Sequence, residues 1–324
     1  MRILIFGAGG FVGKYLLTLL AKEYEATVFA TKHPDEPSAL PHAAAVYDLL
    51  LPDAKTVADI IQKTNPDVIY HLAAQSSVTA AWETPYDTLA VNVQGTLDIL
   101  ETMRQQHSKA RLMLIGSAEE YGLPRSNLFA MAEDEPLCPV NLYGATKLCA
   151  EQLAMAYHKT YGLDVVAVRA FSHIGAGQPP RFALSDFCKQ AAAMECGKQS
   201  PVLHTGNLHG RRDFTDVRDI VRAYVTLAEQ GTSGRCYNVG SGQAVTLAAM
   251  VDLLREECSV PFTVQTDPNR VRPVDMPFQC ANIHRLTGET GWQPQIPLGD
   301  TIREMLAFHR AQMQTGGGRD AAGA

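Results

Sequence analysis

The first thirteen residues constrain this chain more than any other stretch. Arg2-Ile3-Leu4-Ile5-Phe6 is a short apolar, β-branched run that passes directly into Gly7-Ala8-Gly9-Gly10-Phe11-Val12-Gly13, where a helical pattern begins. Gly7 can make a tight turn, Gly10 can let the backbone approach a pyrophosphate, and Gly13 can let helix and strand pack closely. The N–H groups at the start of the helix then face the phosphates, with Phe11 and Val12 beside them. A glycine run alone is as readily a plain turn. Its place after a first strand and before a first helix is the context that a dinucleotide site requires.

The rest of the chain continues this rhythm. Candidate strands over residues 2–6, 26–31, 44–48, 68–72, 112–115, 165–170 and 235–239 alternate with candidate helices over 11–23, 56–63, 86–106, 142–161 and 217–230. That alternation predicts an α/β fold, a Rossmann-type doubly wound parallel sheet. Beyond Phe171 the rhythm loosens, Gly, Pro, Arg and His become frequent, and helical stretches at 247–257 and 301–312 suggest a smaller C-terminal α/β substrate-binding lobe. The expected division is a cofactor domain over 1–172 with 214–240 returning to it, a substrate lobe from 173–213 and 241–315, and a disordered tail over 316–324.

Composition excludes several alternatives. A net charge of −6 gives no general attraction to nucleic acid or acidic membranes, so an anionic ligand needs a local site. No apolar run reaches bilayer length, and Met1–Phe6 is too short for the core of a secretion signal. The seven cysteines are scattered without a Cys-x-x-Cys pair, which argues against a disulfide framework and against a metal site. A cytoplasmic location follows as the expectation, with no nucleic-acid or membrane partner.

An NAD-selective site usually ends its second strand with an acid that accepts from the adenosine ribose hydroxyls and repels a 2′-phosphate. Here the strand ends Thr31-Lys32-His33, a hydroxyl followed by a cation. NADP(H) is therefore expected, with NAD(H) open and Lys32 as a plain surface lysine the alternative.

Tyr143-Gly144-Ala145-Thr146-Lys147 sets a phenol and an ammonium four apart on one face of a helix start. A phenol with a pKa of about 10 is a poor acid near neutrality, and a neighbouring ammonium should lower that value. Ser117, at the end of the 112–115 strand, can orient a substrate oxygen. A Tyr-x-x-x-Lys pair by itself is often just an exposed helix turn. Joined to the glycine loop and a strand-end serine, it points to catalysis by Ser117, Tyr143 and Lys147.

With these residues the chain resembles the extended short-chain dehydrogenase/reductases over roughly residues 2–312, and within them the GDP-6-deoxy-4-keto-D-mannose reductases and GDP-mannose 4,6-dehydratases. Four stretches carry the resemblance: Gly116-Ser117-Ala118-Glu119-Glu120-Tyr121-Gly122, His173-Ile174-Gly175-Ala176-Gly177-Gln178, Gly206-Asn207-Leu208, and Arg212-Asp213-Phe214-Thr215-Asp216-Val217-Arg218-Asp219. The resemblance implies Asp48 and Leu49 by the adenine, although Asp48 taken alone is as readily a strand-end cap, His71 to Gln75 (with Leu72, Ala73 and Ala74) along the pyrophosphate, and Asn92 behind the cofactor. It implies substrate contacts from Gln75, Ser76, Ser117, Glu119, Ser172, Asn207, Arg212 and Arg272. Guanidinium groups suit a diphosphate, and Arg270 is a third candidate, although each arginine taken singly is as readily a surface ion-pair residue. His173 is open between a ligand contact and a structural hydrogen bond. Two positions depart from the family pattern: Asn141-Leu142 replaces Ser-Pro or Asn-Pro, and Ser172 replaces an Asn that helps to hold the sugar.

The reaction implied is NADPH-dependent reduction of the 4-keto group of a nucleotide-linked 6-deoxy sugar, GDP-4-keto-6-deoxy-D-mannose to GDP-D-rhamnose. A 4,6-dehydratase or a 4-epimerase stays open. A dehydratase needs a further acid–base pair, and Glu119 stands where dehydratases carry one, but reductases of the group carry it too. The short 33–41 segment lacks the Arg-rich loop usual in GDP-mannose dehydratases. A non-catalytic NADP-binding regulator on the same fold is the remote alternative, disfavoured because Tyr143 and Lys147 are both retained. A homodimer pairing residues 86–106 and 142–161 across a two-fold axis is expected by the same resemblance.

Overall fold

A computed structural model of the chain describes residues 1–36, 39–124, 129–270 and 276–316. Strand β1 (Arg2–Phe6) leads through the glycine turn into α1 (Phe11–Glu23), then β2 (Thr27–Lys32) and β3 (Ala45–Asp48). Helix α2 (Ala54–Thr64) starts at Asp53, whose carboxylate caps the Thr56 N–H, and ends at Asn65 in the left-handed conformation. It feeds β4 (Val68–His71), followed by the short helices α3 (Val78–Glu83) and α4 (Pro85–Leu89), α5 (Gly95–Gln105) and β5 (Arg111–Ser117).

The helix expected to run unbroken over 86–106 is interrupted by a π-helical turn at Ala90–Gln94. The turn rotates Asn92 inward, where its side chain is fully engaged with neighbouring elements. Helix α6 (Leu142–Tyr161) is capped by Asn141 and stopped by Gly162 at φ 71°, and β6 (Val165–Ala170) follows.

Beyond β6 come β7 (Ser172–Ile174), α7 (Ala183–Glu195), β8 (Val202–Thr205), β9 (Arg211–Asp216), α8 (Val217–Gln230) and β10 (Cys236–Val239). The chain ends with β11 (Ala244–Thr246), α9 (Leu247–Glu257), β12 (Thr263–Thr266), β13 (Phe278–Gln279), α10 (His284–Thr290) and α11 (Leu298–Gly316).

Seven strands form one sheet in the order β10-β6-β5-β4-β1-β2-β3, all parallel. Leu16, Leu20, Ile220 and Tyr224 of α1 and α8 cover one face, and Ile60, Ile99, Leu100 and Ala154 of α2, α5 and α6 cover the other. Because both faces are buried, the central strands are apolar without alternation. A third core gathers Leu184 and Phe187 of α7, Met250 and Leu254 of α9 and Met305 of α11. Beside it lie a small sheet, β11-β9-β13 with β7 on β9, and the β8–β12 pair. All seven cysteines are unpaired, and no described helix is long and apolar enough to cross a membrane.

Candidate active site

The strand order reverses between β1 and β4, which in an open parallel sheet opens a crevice at the carboxyl ends of those strands. The glycine turn lies on this crevice. Gly7 takes φ +83°, and a Cβ there would stand 2.7 Å from the Ala73 nitrogen, so only glycine lets the β1 and β4 loops meet. A Cβ on Gly13 would stand 2.5 Å from the Gly7 carbonyl oxygen. The Gly7 N–H donates to the Thr31 hydroxyl and the Ala8 N–H to the Thr31 carbonyl, tying the turn to β2. Gly10 caps α1 without any side-chain cap, and the first turn of α1 carries no acid. Its N–H groups therefore face the crevice uncapped, which suits a diphosphate. The described residues thus fit a dinucleotide.

Ser117, Tyr143 and Lys147 stand together one strand further along. Ser117 ends β5 in an extended conformation, with its hydroxyl accepting the Glu119 N–H at 3.2 Å. Asn141 caps α6 by accepting the Gly144 N–H at 2.8 Å and donates to Glu119 Oε2 at 2.7 Å. This cap sets the first turn of α6 against the β5 loop. Gly144 packs so closely that a Cβ would stand 2.4 Å from the Glu119 carbonyl oxygen. Tyr143 is hydrogen-bonded to the Ser117 side chain, and the Lys147 ammonium donates to the Ile115 carbonyl at 2.7 Å.

The expected lowering of the Tyr143 pKa does not hold in this site. Burial drives the phenol above its ordinary value; the bond to Ser117 opposes this, and Glu120 and Glu119 add to it. Burial pulls the Lys147 ammonium down to about 8 against the attraction of Glu120. His71, bonded to Thr96 at 3.0 Å, is pushed down to about 3 by burial and by Lys147, so it is neutral.

Beneath the pair lies a buried cluster with no counterpart in the sequence expectations. The Arg169 fork grips Glu151 at 2.6 and 3.0 Å and lies 3.6 Å from Glu120, whose other oxygen accepts the Ser117 N–H. Burial and the charge of Glu151 raise the Glu120 pKa well above the carboxylate range.

The remaining expected residues divide. Lys32 is buried and its ammonium lies 2.6 Å from Asp48 Oδ1; Leu49 is buried next to it in sequence. Leu72, Ala73 and Ala74 are half-buried, the first two beside the glycine turn. Asn92 accepts the Gln75 N–H and donates to the Gln75 carbonyl and the Thr146 hydroxyl, bracing the β4 loop against α6. The Gln75 side chain turns inward to Ser77 and Thr88, while Ser76 is exposed. His173 bonds the Phe171 carbonyl at 3.0 Å and stacks parallel to Phe11 at 6.3 Å, which joins β7 to the start of α1. Ser172 is half-buried at the head of β7, and the Asn207 side chain accepts the His209 N–H. Arg212 donates to the Met276 carbonyl, and Arg270 pairs with Asp186. Arg272 lies outside the described residues.

A doubly wound sheet, a glycine-turn crevice and a Ser–Tyr–Lys group at the strand ends define an enzyme of the extended short-chain dehydrogenase/reductase class. The family model described as GDP-mannose 4,6 dehydratase matches residues 4–305. The chain is 33% identical to GDP-6-deoxy-D-mannose reductase of Pseudomonas aeruginosa, over 94% of this chain and 96% of that protein. The solved structure of RMD from Pseudomonas aeruginosa complexed with NADPH matches with a TM-score of 0.83 and 29% identity, over 96% of this chain and 100% of that one. The UDP-glucose 4-epimerase of Thermus thermophilus in complex with NAD matches with a TM-score of 0.84 and 25% identity, over 96% and 99%. The chain belongs to the GDP-mannose 4,6-dehydratase family.

Proposed function

We propose that the chain reduces the 4-keto group of GDP-4-keto-6-deoxy-D-mannose to give GDP-D-rhamnose, using NADPH. The observation that carries this reading is the Ser117–Tyr143–Lys147 group, held at the strand ends beside an uncapped helix N-terminus. A bound nicotinamide supplies the hydride equivalent. The Ser117 hydroxyl orients the ketone oxygen, and Tyr143, kept neutral by burial, delivers its phenolic proton to that oxygen as negative charge develops there. Lys147 then stabilises the phenolate left behind. Arg212, Asn207, Ser172 and, outside the described residues, Arg272 would hold the nucleotide and sugar. The resemblance to the Pseudomonas aeruginosa reductase supports the guanosine-linked substrate.

One observation favours a second reading. The Glu119 carboxylate, fixed by Asn141, acts on the Tyr143 phenol and could serve as the extra acid–base group of a dehydratase. The test offers the purified protein the 4-keto sugar with NADPH and follows loss of reduced-coenzyme absorbance. Coenzyme consumption with a GDP-deoxyhexose product supports the reductase. Failure there, with formation of the 4-keto compound from GDP-mannose, moves the assignment to dehydratase.

We further infer a cytoplasmic homodimer. Trp82, Tyr86, Leu89, Leu97 and Tyr161, on or beside α4, α5 and α6, are exposed, and a second copy of the chain is the occupant that the family resemblance supports.

A further inference from the structure

β2 ends without an acid, yet a carboxylate reaches the same place from four residues further on. Glu36 Oε2 accepts the His33 N–H at 3.0 Å, and the Glu36 N–H returns to the His33 carbonyl at 2.9 Å, closing a tight turn. The Asp35 N–H donates to His33 Nδ1 at 3.2 Å and braces that turn. The carboxylate lies directly on the glycine loop: a Cβ built on Gly9 would stand 2.0 Å from Glu36 Oε2 and 3.1 Å from the Lys32 Cβ. An anion thus occupies the point where the second strand meets the glycine turn, and it takes the backbone N–H offered there. The nearby cation is drawn elsewhere, since the Lys32 ammonium is held by Asp48 at 2.6 Å and by the His33 carbonyl at 3.3 Å.

In this fold the end of the second strand faces the adenosine ribose. A carboxylate there accepts hydrogen bonds from free ribose hydroxyls and repels a phosphate. We propose that Glu36 is the coenzyme-selecting residue: seated on Gly9 and the His33 amide, it competes with a ribose 2′-phosphate and so weakens, without reversing, the preference for NADPH. The proposal rests on the dinucleotide reading of the crevice and deepens it. NADPH has to displace Glu36 and draw Lys32 from Asp48, whereas NADH leaves both in place, so the preference of the native chain for NADPH is narrow.

The test needs neither the sugar substrate nor turnover. The ligand-free protein and E36Q are titrated by calorimetry with 2′,5′-ADP and with 5′-AMP, which isolate the adenosine end. The glutamine amide of E36Q keeps an oxygen for the His33 N–H, so the turn is retained. The expected result is an affinity ratio of 2′,5′-ADP over 5′-AMP that rises by about tenfold in E36Q, with E36A moving the same way. An unchanged or falling ratio in both variants overturns the role of Glu36 while leaving the crevice a nucleotide site. Absence of binding of either nucleotide to all three proteins overturns the dinucleotide reading, and this proposal with it.

Discussion

The Glu120 carboxyl accepts the backbone N–H of Ser117 at 2.7 Å from a fully buried position. Its neighbours are two charges of opposite sign, Glu151 and Arg169, and Arg169 is already satisfied by Glu151. A second ionised carboxylate would be left in excess, so Glu120 holds its proton to higher pH than an ordinary glutamate. Glutamine reproduces a protonated glutamate. E120Q is therefore expected to melt within a few degrees of wild type and to keep its activity, whereas E120A leaves the Ser117 N–H unpaired and costs about 2 kcal/mol in urea unfolding. The folded pKa is raised, so this stabilisation is complete below the ordinary glutamate pKa and is lost as pH climbs through the raised value. That decline is expected in wild type and absent from E120Q; identical pH slopes would show that Glu120 is ionised.

Among the described residues, Tyr143 is the group placed to give a proton to an oxygen held by Ser117. Tyr143→Phe removes the hydroxyl and little else. It is expected to lower kcat by about 10³-fold and to leave the affinity for NADP⁺, read by calorimetry, within about twofold of wild type, because the glycine turn is untouched. Substantial residual turnover would assign the proton to another donor, with Glu119 next in line.

The Lys147 pKa of about 8 gives a second handle. Its depressed value means that the ammonium is present below about 8 and neutral above it in the folded chain, while the unfolded chain stays protonated up to its ordinary value. kcat/KM is therefore expected to fall with a single ionisation near 8, because the neutral amine no longer stabilises the Tyr143 phenolate. Stability responds in the opposite sense: the unfolded state binds the extra proton, so the contribution of Lys147 rises between about 8 and 10.4. The opposite signs separate this ionisation from alkaline unfolding, and K147M is expected to lack the stability rise.

How far the residues alone revealed this arrangement follows burial. Every strand of the large sheet was legible, since β1, β4 and β6 lie between two helical layers and each carries a run of at least three consecutive apolar residues. The smaller strands were not. Arg211-Arg212-Asp213-Phe214-Thr215-Asp216 carries two cations and two acids, and its pairing rests partly on the buried Asp213 carboxylate, which accepts the N–H groups of Ser241, Gly242 and Ala281. Helix α7 carries only a weak apolar pattern in the sequence because Ala, Cys and Ser make up much of its buried face. In the site, the four-residue spacing of Tyr143 and Lys147 was readable, but adjacent glutamates look alike in a sequence. Only the fold shows that Glu120 is buried against Arg169 while Glu119 faces Asn141. Glu36 was hidden for a related reason, because a strand-end acid is sought at the strand end and this one arrives through a turn.

The proposed dimer rests on the paired surfaces of α5 and α6. Tyr157 donates to Glu101 at 2.9 Å, and the Arg104 guanidinium lies over the Tyr161 ring at 5.3 Å, so the two helices present one joined face. Next to it Tyr86 is 87% exposed, with Leu89 and Leu97 following along the chain. Apolar side chains of this size, grouped on one face, are covered in an isologous pair, where each would meet its counterpart near the two-fold axis. Leu89→Glu sets like charges against one another at that axis and buries them away from water. The expected outcome in sedimentation is a shift from dimer to monomer at micromolar concentration, with 5′-AMP affinity retained because the crevice lies at the strand ends. A wild-type protein that already sediments as a monomer would remove the dimer, and an L89E protein that stays dimeric would move the interface off this face.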